Sequence, residues 1–199
     1  MDIVSHTLWT FAGAKYVKKA TKLEFNVRWS TFWGVFPDLF SFTLLFLWAY
    51  VQIVTGNYTP GNIPTPSDIE PASSDTFLVF KLTSLLYSLS HSGIVFVALF
   101  ALIFSWRRRI PWELLGWAFH IAIDLFTHSY EFFPTPILWP ISTWKFDGLP
   151  WHTPWFMAVN FTSLATLYIF MFRKELVEYL MRFKKRQLVF VESKNEDEI

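Results

Sequence analysis

The chain has 199 residues, enough for one domain, with formal net charge +1 and 17% charged residues, below the roughly 25% of soluble globular domains. Phe, Trp and Tyr number 23, 11 and 7, mean hydropathy is +0.32, and cysteine is absent. These figures exclude disorder, a basic nucleic-acid surface, disulfides and thiolate chemistry, and leave a soluble bundle with an outsized core as the competitor to a membrane protein.

In chain order, Ile3 to Val17 is a short apolar stretch that runs into Lys15, Lys18, Lys19 and Lys22. It predicts a helix entering a bundle part-way. Its charges follow the apolar run rather than precede it, so a cleaved signal peptide is not expected. Four longer apolar stretches follow: Trp29 to Val54, Phe77 to Trp106, about Trp112 to Phe126 or slightly beyond, and Trp155 to Phe172. A bilayer core takes about 20 apolar helical residues. The expected fold is therefore all-α: a polytopic membrane helical bundle with about four transmembrane helices and a partly inserted N-terminal helix. One integral domain would occupy 1–180, and a charged cytoplasmic tail 181–199. Segment 55–76, with Pro60, Gly61, Pro64, Pro66 and Pro71, predicts an irregular loop. Pro134, Pro136, Pro140, Pro150 and Pro154 forbid a regular helix over 134–154.

Fifteen of the 17 Lys and Arg residues fall on one side of a four-span arrangement, at 15–28, 107–109 and beyond Phe172. Basic loops stay cytoplasmic, which predicts a membrane protein with a cytoplasmic C-terminus. Trp29, Trp48, Trp106, Trp112 and Trp155 lie near the predicted span ends, where indole favours the interface.

Ionisable groups inside spans are costly and mark function. Of the five histidines, His6, His91, His120 and His128 lie in apolar segments, as do Asp38 and Asp124. His120, Asp124 and His128 are spaced i, i+4, i+8, which puts them on one helical face. Ligands at i and i+4 can hold one metal ion. A mixture of imidazole and carboxylate suits Zn, Mn or Fe better than Ca. Asp2 and His6 repeat the spacing. At about 1.5 Å per residue, His6, Asp38, His91, His120 and Asp124 lie roughly 14 to 24 Å from the basic ends of their segments, a common depth. They are expected to converge, with His6, His91 and His120 as nitrogen ligands. Asp38 and Asp124 would be oxygen ligands, or one of them the general base.

Each residue also has a plainer reading. A lone intramembrane His can donate to a backbone carbonyl, and Asp38 after Pro37 can be a helix N-cap. Asp124 can be a proton-relay carboxylate, and His128 a polar lining group. Asp2 would hold the His6 tautomer. Ser90, Ser92 and Thr127 would bind substrate oxygens or bond back to the helix backbone.

At these residues the chain resembles a family of membrane-bound, metal-dependent hydrolases that includes the LexA-regulated inner-membrane proteins of bacteria. The matching pieces are Met-Asp-x-x-Ser-His (Asp2, His6), Pro37-Asp38-Leu39, Ser90-His91-Ser92, His120-x-x-x-Asp124-x-x-Thr127 and Leu138-Trp139-Pro140. They come in the family's order over residues 1 to about 142. The resemblance implies a helical membrane protein with a His/Asp metal site and, more distantly, a link to zinc-dependent phospholipase C-type enzymes. Many relatives carry His-Arg where this chain has Leu86-Tyr87, and a second acid where it has Phe40. That leaves two arrangements open: a single-metal site, or a second site completed by His128.

The expected activity is metal-assisted hydrolysis of an ester or phosphoester in a lipid-like membrane substrate, with Zn the first choice of divalent ion. No G-x-S-x-G motif points to a serine nucleophile. The alternatives are a non-catalytic metal- or proton-handling membrane protein and a structural scaffold.

Overall fold

Asp2 starts the first helix. Its carboxylate accepts from the Ser5 amide at 2.9 Å and the Ser5 hydroxyl at 2.6 Å, capping α1 (Ile3–Thr21). In this computed structural model, which describes residues 1–59, 77–179 and 181–183, every regular element is helical. After α1, Asn26 caps α2 (Val27–Val54) by accepting from the Arg28 and Trp29 amides. Then come α3 (Leu78–Ser90), α4 (Gly93–Arg107), a 3-10 turn at Trp112–Leu114, α5 (Leu115–Thr127) and α6 (Pro154–Met171). Two compact units result, Met1–Ala158 and Val159–Ile199, and all the candidate site residues lie in the first. The predicted loop over 60–76 and most of the predicted tail over 181–199 fall outside the described residues.

The spans differ from the four expected. Among the described residues, α2 and α6 are the helices long and apolar enough to cross a bilayer. A third span exists if α3 and α4, bent 59° at their junction, are taken as one. The third apolar stretch yields α5, only 13 residues or roughly 20 Å, short of the about 30 Å hydrocarbon core. Both departures occur where polar side chains are needed inside: at Ser90-His91-Ser92 and at His120, Asp124 and His128. Two or three such helices suggest a membrane protein.

The distribution of polarity agrees. Ser5, His6, Thr10, Asp38, Ser41, Thr83, His91, His120 and Asp124 are buried, while Phe46, Leu47, Val51, Val97 and Leu102 face outward. None of the fifteen residues of α4 is buried. A soluble bundle would hide those aliphatic side chains and wet the polar ones. The soluble alternative is therefore disfavoured by where the side chains sit, beyond composition.

Glycine sets the spacing of α1, α2 and α5. A Cβ at Gly34 would lie 2.3 Å from Thr10 Oγ1, and one at Gly116 would lie 2.0 Å from the Ser30 carbonyl oxygen. Only the absence of a side chain lets these backbones approach so closely. Pro37 does not start a helix: α2 runs through it, so Asp38 is an interior, buried residue and not the N-cap that its position after proline suggested.

The α3–α4 break is held by distant partners. Ser92 caps α4 through the Val95 amide at 3.2 Å, its hydroxyl donates to the Trp139 carbonyl, and the Gly93 amide donates to the Ile137 carbonyl at 3.0 Å. Trp117 Nε1 donates to the Ser90 carbonyl at 2.6 Å. As expected, the proline-rich segment forms no regular helix. It returns along the end of α5, where the Gly148, Leu149 and Trp151 amides donate to the His128, Phe126 and Thr127 carbonyls. These are carbonyls that a helix end leaves unpaired.

Candidate metal centre

Three chain segments and the α3–α4 break deliver the site. His6 projects from α1, Asp38 from α2, His91 from the break, and His120 and Asp124 from successive turns of α5. All five are buried, and among the described residues Asp38, His91, His120 and Asp124 form a group able to hold a metal ion, with one ligand atom each within 4.8 Å of the others.

The edges of this group are informative. His91 Nε2 and His120 Nε2 are 3.0 Å apart. From Asp124 Oδ2 they lie 3.4 and 3.1 Å away, and from Asp38 Oδ1 3.6 and 3.7 Å. Four ligands placed tetrahedrally at about 2.0–2.2 Å from a zinc-type ion stand roughly 3.3–3.6 Å from one another. The five distances bracket that range.

Hydrogen bonds constrain which ring atoms carry protons. His120 Nδ1 donates to the Gly34 carbonyl at 2.8 Å, and His91 Nδ1 faces the Tyr87 carbonyl at 3.2 Å and Ser90 Oγ at 2.9 Å. A carbonyl only accepts, so in the neutral His120 ring Nε2 carries the lone pair; His91 Nε2 carries one when its Nδ1 proton goes to the Tyr87 carbonyl rather than Nδ1 accepting from the Ser90 hydroxyl. In that tautomer two lone pairs face each other at 3.0 Å beside two carboxylates, an arrangement that a cation stabilises and that apolar surroundings alone penalise; in the other, His91 Nε2 donates to His120. Asp38 Oδ2 and Asp124 Oδ2 accept no hydrogen bond; among the described residues neither carboxylate is paired with a Lys or Arg, and the N-terminal ammonium of Met1 is ion-paired with the other oxygen of Asp124. Metal-binding histidines characteristically give the other ring N–H to a carbonyl, as His120 does here.

His6 meets the group on its other side. Its Nε2 is 2.8 Å from Asp124 Oδ1, its ring stacks on His120 at a 3.7 Å centroid spacing, and its Nδ1 has no partner. His128 is not simply a lining group. Its Nδ1 donates to the Phe133 carbonyl at 2.8 Å, and its Nε2 lies 3.3 Å from Asp124 Oδ1. The backbone nitrogen of Met1 stands between, 2.5 Å from Asp124 Oδ1 and 2.6 Å from His128 Nε2.

Other expected site residues have structural duties. Asp2 caps α1 and does not orient the His6 ring. Thr127 bonds back to the Ile123 carbonyl within its own helix, and Ser92 holds the helix break, so neither hydroxyl is spare for a substrate. Ser90 bonds the His91 ring and Ser41 Oγ, at 2.9 and 2.7 Å. Two contributors were not foreseen. Tyr87 stacks on His91 at 3.9 Å and donates its hydroxyl to the Phe133 carbonyl at 2.6 Å, the same oxygen that receives His128 Nδ1. The Gly34 carbonyl is the other. Tyr87 lies four residues before His91, and that i, i+4 spacing was readable; Gly34 carried no signal, since any residue has a carbonyl.

A cavity of about 430 Å³ adjoins the site, within the usual range for ligand pockets of about 300–1,000 Å³. Phe42, Leu45, Trp48 and Phe80 line it, together with Asp38 and His128. Compared with protein-family models, curated proteins and solved structures, the chain matches none.

Proposed function

We propose that this protein is a membrane-bound, metal-dependent hydrolase acting on an ester or phosphoester of a lipid-like substrate. The observation that carries the reading is the junction of two features: a buried tetrad, five of whose six edges are close to tetrahedral spacing, and an aromatic cavity whose wall includes Asp38 of that tetrad. The resemblance to the membrane-bound hydrolase family adds to it. Asp38, His91, His120 and Asp124 would hold the ion, with Zn the first choice and Mn or Fe next. Such an ion lowers the pKa of a water to about 7 and polarises a phosphoryl or carbonyl oxygen.

The chain's own residues divide the remaining work. Asp38 turns Oδ1 towards the two histidines and leaves Oδ2 without a hydrogen-bond partner, so it is the carboxylate suited to accept a proton from the attacking water. Asp124 is enclosed by His6, His91, His120 and His128, and serves as a ligand. The Gly34 carbonyl keeps His120 Nε2 free for coordination, and the Tyr87 carbonyl does the same for His91 when it takes the Nδ1 proton. The aromatic cavity would take the apolar part of the substrate and keep bulk water from it.

By the basic-residue asymmetry the C-terminus would be cytoplasmic, and by the family resemblance the protein would lie in the inner membrane. The test is to purify it in detergent, measure bound metal, and assay release of phosphate, headgroup or fatty acid from a lipid panel. Metal together with turnover, with turnover at least about 100-fold lower in Asp38→Asn and metal lost in His120→Gln, supports the enzyme. Metal without turnover on the whole panel supports a metal-handling protein, and no metal with intact folding leaves a scaffold.

A further inference from the structure

We infer that Asp124 bridges two cations, with His6 and His128 supplying the second position. The inference rests on the metal reading above and deepens it.

The two oxygens of Asp124 face different partners. Oδ2 belongs to the tetrad with Asp38, His91 and His120. Oδ1 is turned to His6 Nε2 at 2.8 Å and His128 Nε2 at 3.3 Å. The His128 tautomer is fixed in the same way as that of His120: its Nδ1 donates to the Phe133 carbonyl, so its Nε2 offers a lone pair. Phe133 adopts φ 42°, the left-handed region that a bulky side chain rarely enters, and there its carbonyl receives both His128 and Tyr87. Backbone strain of this kind persists where the surrounding structure enforces it, typically around a functional group.

His6 and His120 lie at a 3.7 Å centroid separation, 23° from parallel, and their Nε2 atoms approach opposite oxygens of the same carboxylate. Two-metal hydrolytic sites hold their ions about 3.5–4 Å apart, a spacing that the two oxygens of one carboxylate can serve. The N-terminal ammonium of Met1 holds the space beside Oδ1, ion-paired with that oxygen and 2.6 Å from His128 Nε2, so the position already takes a positive group, which a second metal ion would replace. His128 and Asp38, one from each position, both line the aromatic cavity. A substrate headgroup there would meet both positions, which favours a phosphoester, with oxygens enough to be shared, over a carboxylic ester.

The test is metal stoichiometry on the full chain in detergent, with Zn(II) for counting and Mn(II) for electron paramagnetic resonance. Expected are two ions per chain, an exchange-coupled Mn(II) pair, and a fall to one uncoupled ion in both His128→Ala and His6→Ala. His152→Ala, outside the cluster, serves as the folding control and keeps both ions. One ion per folded wild-type chain overturns the bridge and leaves the single-metal site standing. Two uncoupled ions that persist in His128→Ala also overturn it. No ion at all overturns the bridge and the metal reading together.

Discussion

Gly116→Ala probes the architecture of the site without touching a ligand. The added Cβ would lie 2.0 Å from the Ser30 carbonyl oxygen, 2.9 Å from its carbon and 3.1 Å from the Gly34 nitrogen. All three obstacles are backbone, so no side chain can swing away. Restoring even a 3.0 Å separation requires α5 to retreat about 1 Å from α2. That retreat stretches the 2.8 Å bond from His120 Nδ1 to the Gly34 carbonyl to about 3.8 Å, beyond hydrogen-bond range. Overpacking costs about 1–3 kcal/mol, and a buried polar pair left unmade costs about 1–3 kcal/mol more. The expected destabilisation is therefore about 2–6 kcal/mol, read as a shift in the thermal or denaturant midpoint in detergent. Metal affinity, measured by competition with a chromophoric chelator, should fall about 10–100-fold as His120 loses the partner that orients it. Gly13→Ala is the matched control. Its Cβ would meet nothing nearer than a Phe119 ring atom at 3.9 Å, and in the interior of α1 it should stabilise by about 0.5–1 kcal/mol. Wild-type stability and metal affinity in Gly116→Ala would refute the claim that close α2–α5 approach builds the centre.

Further expectations follow from the same geometry. Saturating metal, at about 100 times its Kd, should raise unfolding free energy by about 2.7 kcal/mol over a chelator-treated sample, and identical midpoints would count against a metal site. Tyr87→Phe removes the hydroxyl that donates to the Phe133 carbonyl and should cost about 0.5–1.5 kcal/mol, seen in the same melt; a neutral result would mean that the Tyr87 hydroxyl contributes nothing to fixing this corner. Ala49→Phe, on the cavity wall, should shift substrate preference towards shorter apolar chains at constant metal content, whereas an unchanged chain-length profile would separate the cavity from the substrate. In this cysteine-free chain, Thr65→Cys should react with an impermeant maleimide from the non-cytoplasmic side and Arg108→Cys only from the cytoplasmic side; the reverse pattern inverts the orientation.

Much of the site could be read locally because a helix converts spacing into direction. His120 and Asp124, four apart, must share a face, and the common depth of His6, Asp38 and His91 followed from rise per residue. Hydropathy picked out the apolar stretches that form the long exposed helices, and density of proline ruled out a helix over 134–154. These are properties of short segments, set by backbone geometry and transfer free energy, and they need no partner.

What required the tertiary structure has its cause far along the chain. The Phe77 to Trp106 stretch reads as one apolar span. It breaks at His91 because the Ile137 and Trp139 carbonyls and the Trp117 indole satisfy the polar groups exposed there. Pro37 left an N-cap open as the plainer reading of Asp38; packing settles the other, with α2 continuous through Pro37 and Asp38 buried. The two faces of Asp124, towards His91 and His120 on one side and His6 and His128 on the other, depend on how α1, α2 and α5 pack. That packing is governed by Gly34 and Gly116, where a missing side chain sets the distance between backbones and so decides which lone pairs meet.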